Sequence, residues 1–185
     1  MDIFRCETDY EVFLLALREA TLRHRIQIHS YVLMTNHVHA TVTPESAEAL
    51  SNAMQTIGRR YVPYFNDRYA RTGGMFDGRY RSFEIGSEDY WFNCARYVEL
   101  NPVRAGLVGA PEAYQWSSYG AHAFGKEDPL VTFHWLYLAL GDTPEVRQRA
   151  WRTLCGAHVS EPQLAEIRNS VNTGKALGTG TPLGV

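Results

Sequence analysis

Apolar residues recur every three or four positions in several stretches of the chain, which is the spacing of one face of a helix. The pattern predicts a first helix over about residues 8–23, a long second helix from Ser46 to about residue 67, and a third helix from Ser87. Pro102 disfavours helical geometry at Asn101, so the third helix should end there. Further short helices are predicted later in the chain, with Thr143 and Ser160 as favourable starts.

Two neighbouring stretches between the first two helices have the pattern of strands. Residues 26–34 are rich in β-branched and aromatic side chains, and polar and apolar residues alternate from His37 to Thr43. The short break between them predicts a tight turn and therefore an antiparallel pair. We expect an α+β domain over residues 1–125. Gly125 to Pro129 has the composition of a linker, so residues 126–185 are expected to form a helical C-terminal extension with an irregular tail.

The composition is that of a folded protein with a substantial core. Hydrophobic residues make up 45% of the 185 positions and aromatic residues 12%. Three cysteines without a Cys-x-x-Cys pair indicate neither a disulfide framework nor a thiolate zinc site. The chain shows no signal peptide and no apolar run long enough to span a bilayer. We therefore expect a cytoplasmic protein with no membrane association.

The formal net charge of −2 argues against indiscriminate coating of nucleic acid, yet the positive charge is unevenly distributed. One segment carries six arginines against two aspartates: Arg59, Arg60, Arg68, Arg71, Arg79 and Arg81 against Asp67 and Asp77. Such a segment can bind phosphates even in a nearly neutral chain. The alternative is a solvated arginine surface without a ligand.

His37 and His39 are the first candidates for chemistry. One residue separates them in a predicted strand, so both imidazoles leave the same face about 7 Å apart and can share a metal ion. A His-x-His pair alone is weak evidence, because two half-exposed strand histidines would give the same pattern.

Tyr97 and Asn101 strengthen the case because they lie four residues apart and hence on one face of the predicted third helix. The asparagine offers a neutral oxygen ligand to a metal that also binds imidazoles. A nearby cation would help the tyrosine phenol to attack a phosphate. The competing interpretation of Tyr97 is a helix residue with its ring in the core and its hydroxyl in water.

Four segments of the chain have a recognisable sequence, in the order 31–39, 78–82, 97–108 and 116–119, and they read YVLMTNHVH, GRYRS, YVELNPVRAGLV and WSSY. Together these segments resemble the single-tyrosine HUH transposases, specifically the REP-associated tyrosine transposase branch. The resemblance covers residues from about 2 to 120.

The resemblance implies a ferredoxin-like fold, with helices on one face of an antiparallel sheet and the active site on the other. It implies that His37, His39 and Asn101 bind Mg²⁺ or Mn²⁺, and that Tyr97 becomes linked to a DNA 5′ phosphate. The substrate would be single-stranded DNA folded into a hairpin at palindromic repeats. The protein would be associated with the bacterial nucleoid. The arginines expected to contact DNA are Arg59, Arg60, Arg79, Arg81 and Arg104.

Two departures from that branch leave alternatives open. Related chains begin with a further strand before the first helix, and they continue into another helix where this sequence ends, so we expect a sheet that lacks the first strand. The main hypothesis is a nicking and joining enzyme. A non-catalytic remnant that binds hairpin DNA is the alternative, and a metal-dependent phosphodiesterase that uses water is a third. The pattern allows either a monomer or a homodimer.

Overall fold

The structure is a computed structural model, and it describes residues 1–76, 78, 80–157 and 160–177. Its elements in chain order are α1 (Glu7–Arg23), β1 (Ile26–Leu33), β2 (Val38–Pro44), α2 (Ala49–Arg68), α3 (Glu88–Glu99), α4 (Asn101–Arg104), a 3₁₀ turn (Pro111–Ala113), α5 (Tyr119–Phe124), α6 (Trp135–Leu138), α7 (Pro144–Gly156) and α8 (Glu161–Thr173). The mixed α+β fold with an antiparallel strand pair is confirmed. Among the described helices, none is both long and apolar enough to cross a membrane.

Most of the predicted helix starts are correct. The side chains of Ser87, Thr143 and Ser160 accept hydrogen bonds from the first turns of α3, α7 and α8. The predicted start of α2 at Ser46 is wrong by about one turn. The Ser46 carbonyl instead accepts from the Ala49 N–H in a separate turn, and the helix begins at Ala49.

The two strands pair with Val32 opposite His39 and with a register shift at His29. Strand side chains alternate between faces, so one extra residue in β1 reverses the alternation beyond it. The shift keeps Ile28 on the same face as Tyr31 and Leu33. In the described residues 1–6 the chain forms no strand, and two backbone N–H groups there donate to the Thr35 carbonyl.

Helices α1 and α2 pack together on one face of the strand pair and enclose the largest apolar core. Phe13 of α1 and Tyr61 of α2 lie edge to face with ring centroids 5.1 Å apart, and β1 contributes Ile28 and Leu33. Both helices bury one side against the sheet, as their apolar spacing predicts. The buried Asp9 of α1 accepts hydrogen bonds from the Tyr64 and Tyr69 hydroxyls, so this layer satisfies its buried carboxylate.

Helix α3 covers the other face of the strand pair. Val98 packs against Val32 of β1 and against Met34, which follows that strand. A second side of α3 packs against α5, α6 and α7, and a third packs against α8. The outer edge of β1 is occupied as well, because the N–H groups of Leu33, Ser118 and Thr132 link β1 to residues 116–118 and 132. Helix α3 therefore lies between the sheet and the C-terminal helices.

Candidate functional site

Three aromatic rings from two distant parts of the sequence meet between the sheet and α3. The ring centroids of His37 and His39 lie 4.7 Å apart, and those of His39 and Tyr97 lie 5.7 Å apart, both in edge-to-face arrangements. His39 lies on the α3 face because it is opposite Val32, which packs against that helix. The structure thus brings together the two histidines and the tyrosine that the sequence singled out.

Both imidazoles are held in the state that a metal ligand requires. Burial lowers the pKa of His39 to about 4, and the neighbouring His37 and Arg104 act in the same direction. Loss of solvent around the ring also lowers the pKa of His37, although that residue reaches the surface. At neutral pH both side chains are therefore uncharged, and each has a nitrogen lone pair to offer.

Asn36 orients the first of these histidines. The Nδ1 atom of His37 lies 2.6 Å from the Asn36 side-chain oxygen, which can only accept. Nδ1 of the neutral imidazole therefore donates, and the lone pair is on Nε2. Such a partner fixes both the tautomer and the ring orientation of a ligand. Sequence reasoning missed Asn36, although an amide directly before the first histidine is a usable local signal.

Asn101 begins α4, about one helical turn after Tyr97. Its side-chain Nδ2 is buried and has no hydrogen-bond partner among the described residues. An unpaired buried amide is costly unless a bound group satisfies it. No hydrogen bond joins the Asn101 side chain to His37 or His39, so the role of Asn101 as a metal ligand stays a prediction.

The chemistry of these side chains fits a weakly held divalent cation. Two neutral imidazoles and an amide oxygen supply N and O donors without any negative charge. Within the described residues, no group of three or more His, Cys, Asp or Glu side chains is placed to hold a metal. A cation held only by neutral groups keeps its full charge for an anionic ligand such as phosphate.

Arg104 is packed against the candidate nucleophile. Its guanidinium carbon lies 4.2 Å from the centroid of the Tyr97 ring, and its Nη2 donates to the Tyr97 carbonyl. Desolvation lowers the pKa of Arg104, consistent with its half-buried position. Arg104 therefore stacks on the ring and restricts its orientation.

The other arginines predicted to contact DNA lie in different places. Arg59 and Arg60 are exposed on α2, in the layer on the opposite face of the sheet, where Arg60 lies 3.6 Å from Glu19. Arg81 donates to the carbonyl of Asn172 in α8 at 3.0 Å. Arg79 lies outside the described residues. The structure does not bring Arg59 or Arg60 to the three rings, and their DNA contacts stay predictions.

The C-terminal helix α8 packs beside Tyr97. Ile167 and Val171 of α8 share an apolar cluster with Cys94 and one side of Tyr97. Tyr90, two turns before Tyr97, donates to Glu166 at 2.8 Å. The amphipathic pattern of residues 161–173 indicated a buried face but not its partner, so this neighbour of the site was not predicted.

Comparison with known protein families places a match over the first half of the chain. A family model described as "Transposase IS200 like" matches residues 2–101, which include both histidines, Tyr97 and Asn101. No match was found among the curated proteins or among the solved structures.

Proposed function

This chain belongs to the IS200-like transposase family, which acts in DNA transposition, and we propose that it nicks and rejoins single-stranded DNA with Tyr97 as the nucleophile. The observation that carries the proposal is the convergence of Tyr97 with His37 and His39, across an edge-to-face contact of 5.7 Å between His39 and the phenol ring.

The proposed reaction transfers a phosphoryl group twice. The Tyr97 oxygen forms a bond to a backbone phosphorus as the bond to the 3′ oxygen breaks, and the phenolic proton is lost to solvent or to the leaving oxygen. The products are a 5′-phosphotyrosine and a free 3′ hydroxyl. A second 3′ hydroxyl can reverse the step, because the new ester retains the energy of the broken one, and strand joining then needs no ATP.

His37, His39 and Asn101 would hold Mg²⁺ or Mn²⁺. A divalent cation supplies Lewis-acid chemistry, since it favours the phenolate and withdraws charge from the phosphate. Imidazole suits Mn²⁺ better than Mg²⁺, which prefers oxygen ligands, so we expect higher activity with Mn²⁺. The role of Arg104 is to hold the Tyr97 ring in line and to offer positive charge close to the scissile phosphate.

We further propose that the substrate is a hairpin at palindromic repeats, as in the REP-associated branch. The segments 78–82 and 116–119 support that branch. The flanking phosphates would be contacted by Arg59, Arg60, Arg79 and Arg81. The protein would act in the bacterial cytoplasm, in association with the nucleoid. Because His39, with His37 beside it, meets the tyrosine of the same chain, the geometry supports catalysis within a monomer, and a homodimer with exchanged tyrosines is the alternative.

A denaturing gel tests the proposal directly. Labelled hairpin DNA is incubated with the protein and Mg²⁺, Mn²⁺ or EDTA, and we expect a protein-linked band that requires the metal. Tyr97→Phe should abolish this band while hairpin binding is retained. Tyr90→Phe, two turns earlier on the same helix, is the matched control and should keep it. An adduct that persists in Tyr97→Phe would remove Tyr97 from the nucleophile role.

A non-catalytic hairpin-binding protein is the second candidate, and one observation favours it. In the part of the chain that the structure describes, no third His, Cys, Asp or Glu joins the two histidines, so metal affinity depends on neutral ligands. This candidate predicts salt-sensitive hairpin binding without any protein-linked DNA. Hydrolysed DNA without an adduct would instead indicate a water-dependent phosphodiesterase.

A further inference from the structure

Glu99 is a fully buried carboxylate in α3, two residues after Tyr97. Its Oε1 accepts hydrogen bonds from Ser118 Oγ at 2.5 Å and from His122 Nδ1 at 2.7 Å. Its Oε2 accepts one from Trp151 Nε1 at 2.8 Å. Ser118 lies at the start of α5, His122 lies within α5, and Trp151 belongs to α7. The Glu99 side chain therefore joins α3 to two helices from the C-terminal part of the chain.

The surroundings of this carboxylate are apolar. The cluster beside it includes Trp91 and Ala95 of α3 together with Trp151, which is completely buried. The His122 ring lies edge to face with Tyr137, and its Nε2 is buried without a partner among the described residues. A carboxylate in such a place is tolerated only when its hydrogen bonds are made, so the three donors must be correctly placed at the same time.

Glu99 and Tyr97 project from nearly opposite sides of α3. Two residues correspond to a rotation of roughly 200° around a helix axis. A phenol oxygen lies about 9 Å from the helix axis. A rotation of the helix by about ten degrees therefore moves this oxygen by about 1.5 Å. Directional hydrogen bonds on the Glu99 side can prevent that rotation, whereas apolar packing of Trp91 and Ala95 tolerates small sliding movements.

We infer that Glu99 is a positioning residue, which fixes the rotation of α3 through Ser118, His122 and Trp151 and thereby holds Tyr97 against His39. The inference rests on the proposed function of Tyr97. It assigns a role to the helices after residue 126, because α7 supplies one of the three donors. A displacement of about 1 Å at a reacting atom can cost on the order of a hundredfold in rate.

Two tryptophans of the same cluster provide a matched test. Trp151→Phe removes the donor to Glu99, whereas Trp91→Phe makes the same chemical change at a residue that gives Glu99 no hydrogen bond. We measure the single-turnover rate of adduct formation at saturating hairpin DNA, with hairpin Kd and Tm determined in parallel. Each rate is measured well below the Tm of its variant.

Trp151→Phe should lower the single-turnover rate at least tenfold, with the Kd changed less than about twofold. Trp91→Phe should change the rate less than about twofold, even when its Tm falls as far as that of Trp151→Phe. Glu99→Gln leaves a single acceptor oxygen for three donors, so it should lower the rate as well. Equal rate losses in the two tryptophan variants, or an unchanged rate in Trp151→Phe, would overturn the inference.

A second readout does not depend on catalysis. Crystal structures of the wild-type protein and of Trp151→Phe should differ in the separation of the His39 and Tyr97 rings by about 1 Å or more, with Trp91→Phe close to the wild type. An unchanged separation contradicts the positioning role. If the wild type forms no adduct with Tyr97, the proposed function fails, while this structural comparison still decides whether Glu99 positions the ring.

Discussion

The two faces of the strand pair are built from different chemistry. The face under α1 and α2 is filled with apolar and aromatic side chains, such as Phe13, Tyr61 and Ile28, in ordinary core packing. The face under α3 carries His39, which contacts Tyr97 of that helix, and the neighbouring Asn101 has a buried amide nitrogen without a partner among the described residues. The first face is organised for stability. The second brings two imidazoles and a phenol together, as a site for a bound ligand does.

Loss of the two histidines on the α3 side should lower the activity most. The double change His37→Ala and His39→Ala should lower the rate of adduct formation by at least about a hundredfold, because both imidazole ligands are lost. The Tm should change little, since His37 is exposed and His39 only half-buried. Metal titrations of the rate provide the measurement. A variant that reacts like the wild type would remove the histidines from the chemistry.

A change on the face under α1 and α2 should lower the stability of the protein and leave the rate of adduct formation unchanged. Phe13→Ala removes a ring that contacts Phe4 and Tyr61 and should cost about 3–5 kcal/mol of the free energy of unfolding. The rate of adduct formation per folded molecule should be unchanged. Leu15→Ala, at an exposed position of the same helix, is the control and should stay within about 0.5 kcal/mol. Urea denaturation measures both.

Arg104 should give a smaller effect on the rate. Lysine retains the charge but not the planar group that stacks on the Tyr97 ring, so Arg104→Lys should lower the single-turnover rate roughly tenfold. Hairpin Kd should change less than the rate. If Arg104→Lys weakens hairpin binding tenfold and leaves the saturated rate intact, Arg104 is a DNA contact rather than a group that orients the ring.

His29 and His134, whose rings meet away from Tyr97, should cause a weak pH dependence of the free energy of unfolding. Burial lowers the pKa of His134 to about 4 and also lowers that of His29, and their rings lie 4.7 Å apart. The folded protein keeps these imidazoles neutral while the unfolded chain protonates them. Stability is therefore full above about pH 6.5 and declines as the pH falls from there towards 4.

His134→Asn tests this pH dependence, because asparagine can still accept the α6 hydrogen bond that the His134 ring accepts from Leu136. The decline in the free energy of unfolding between pH 6.5 and 4 should become shallower in the variant. An identical pH profile in both proteins would mean that other groups cause the acid sensitivity.

Local patterns predicted most of the elements in this chain. The caps at Ser87, Thr143 and Ser160 and the two strands depend on neighbours within a few residues, and they appear close to the predicted positions. The meeting of His39 with Tyr97 followed from period-two and helical spacing combined with family resemblance. These features are encoded over short distances or in recognisable motifs.

The missed features depend on contacts between distant residues. The bulge at His29 has no local signature, and α8 has an apolar face that does not specify its partner. Glu99 was not singled out from the sequence, because its donors lie 19 to 52 positions further along the chain. Ser46 failed as a helix start because a turn precedes α2. Pairing of this kind is decided by tertiary packing.

Peptide mass spectrometry can identify the residue that becomes linked to DNA, which we propose is Tyr97. The protein is incubated with hairpin DNA and Mn²⁺, the DNA is trimmed by nuclease, and the tryptic peptides are sequenced. We expect a nucleotide 5′-phosphate on the peptide that contains Tyr97, and we expect it to be absent when EDTA replaces the metal. A nucleotide on any other residue, or unmodified Tyr97 beside cleaved DNA, would contradict it.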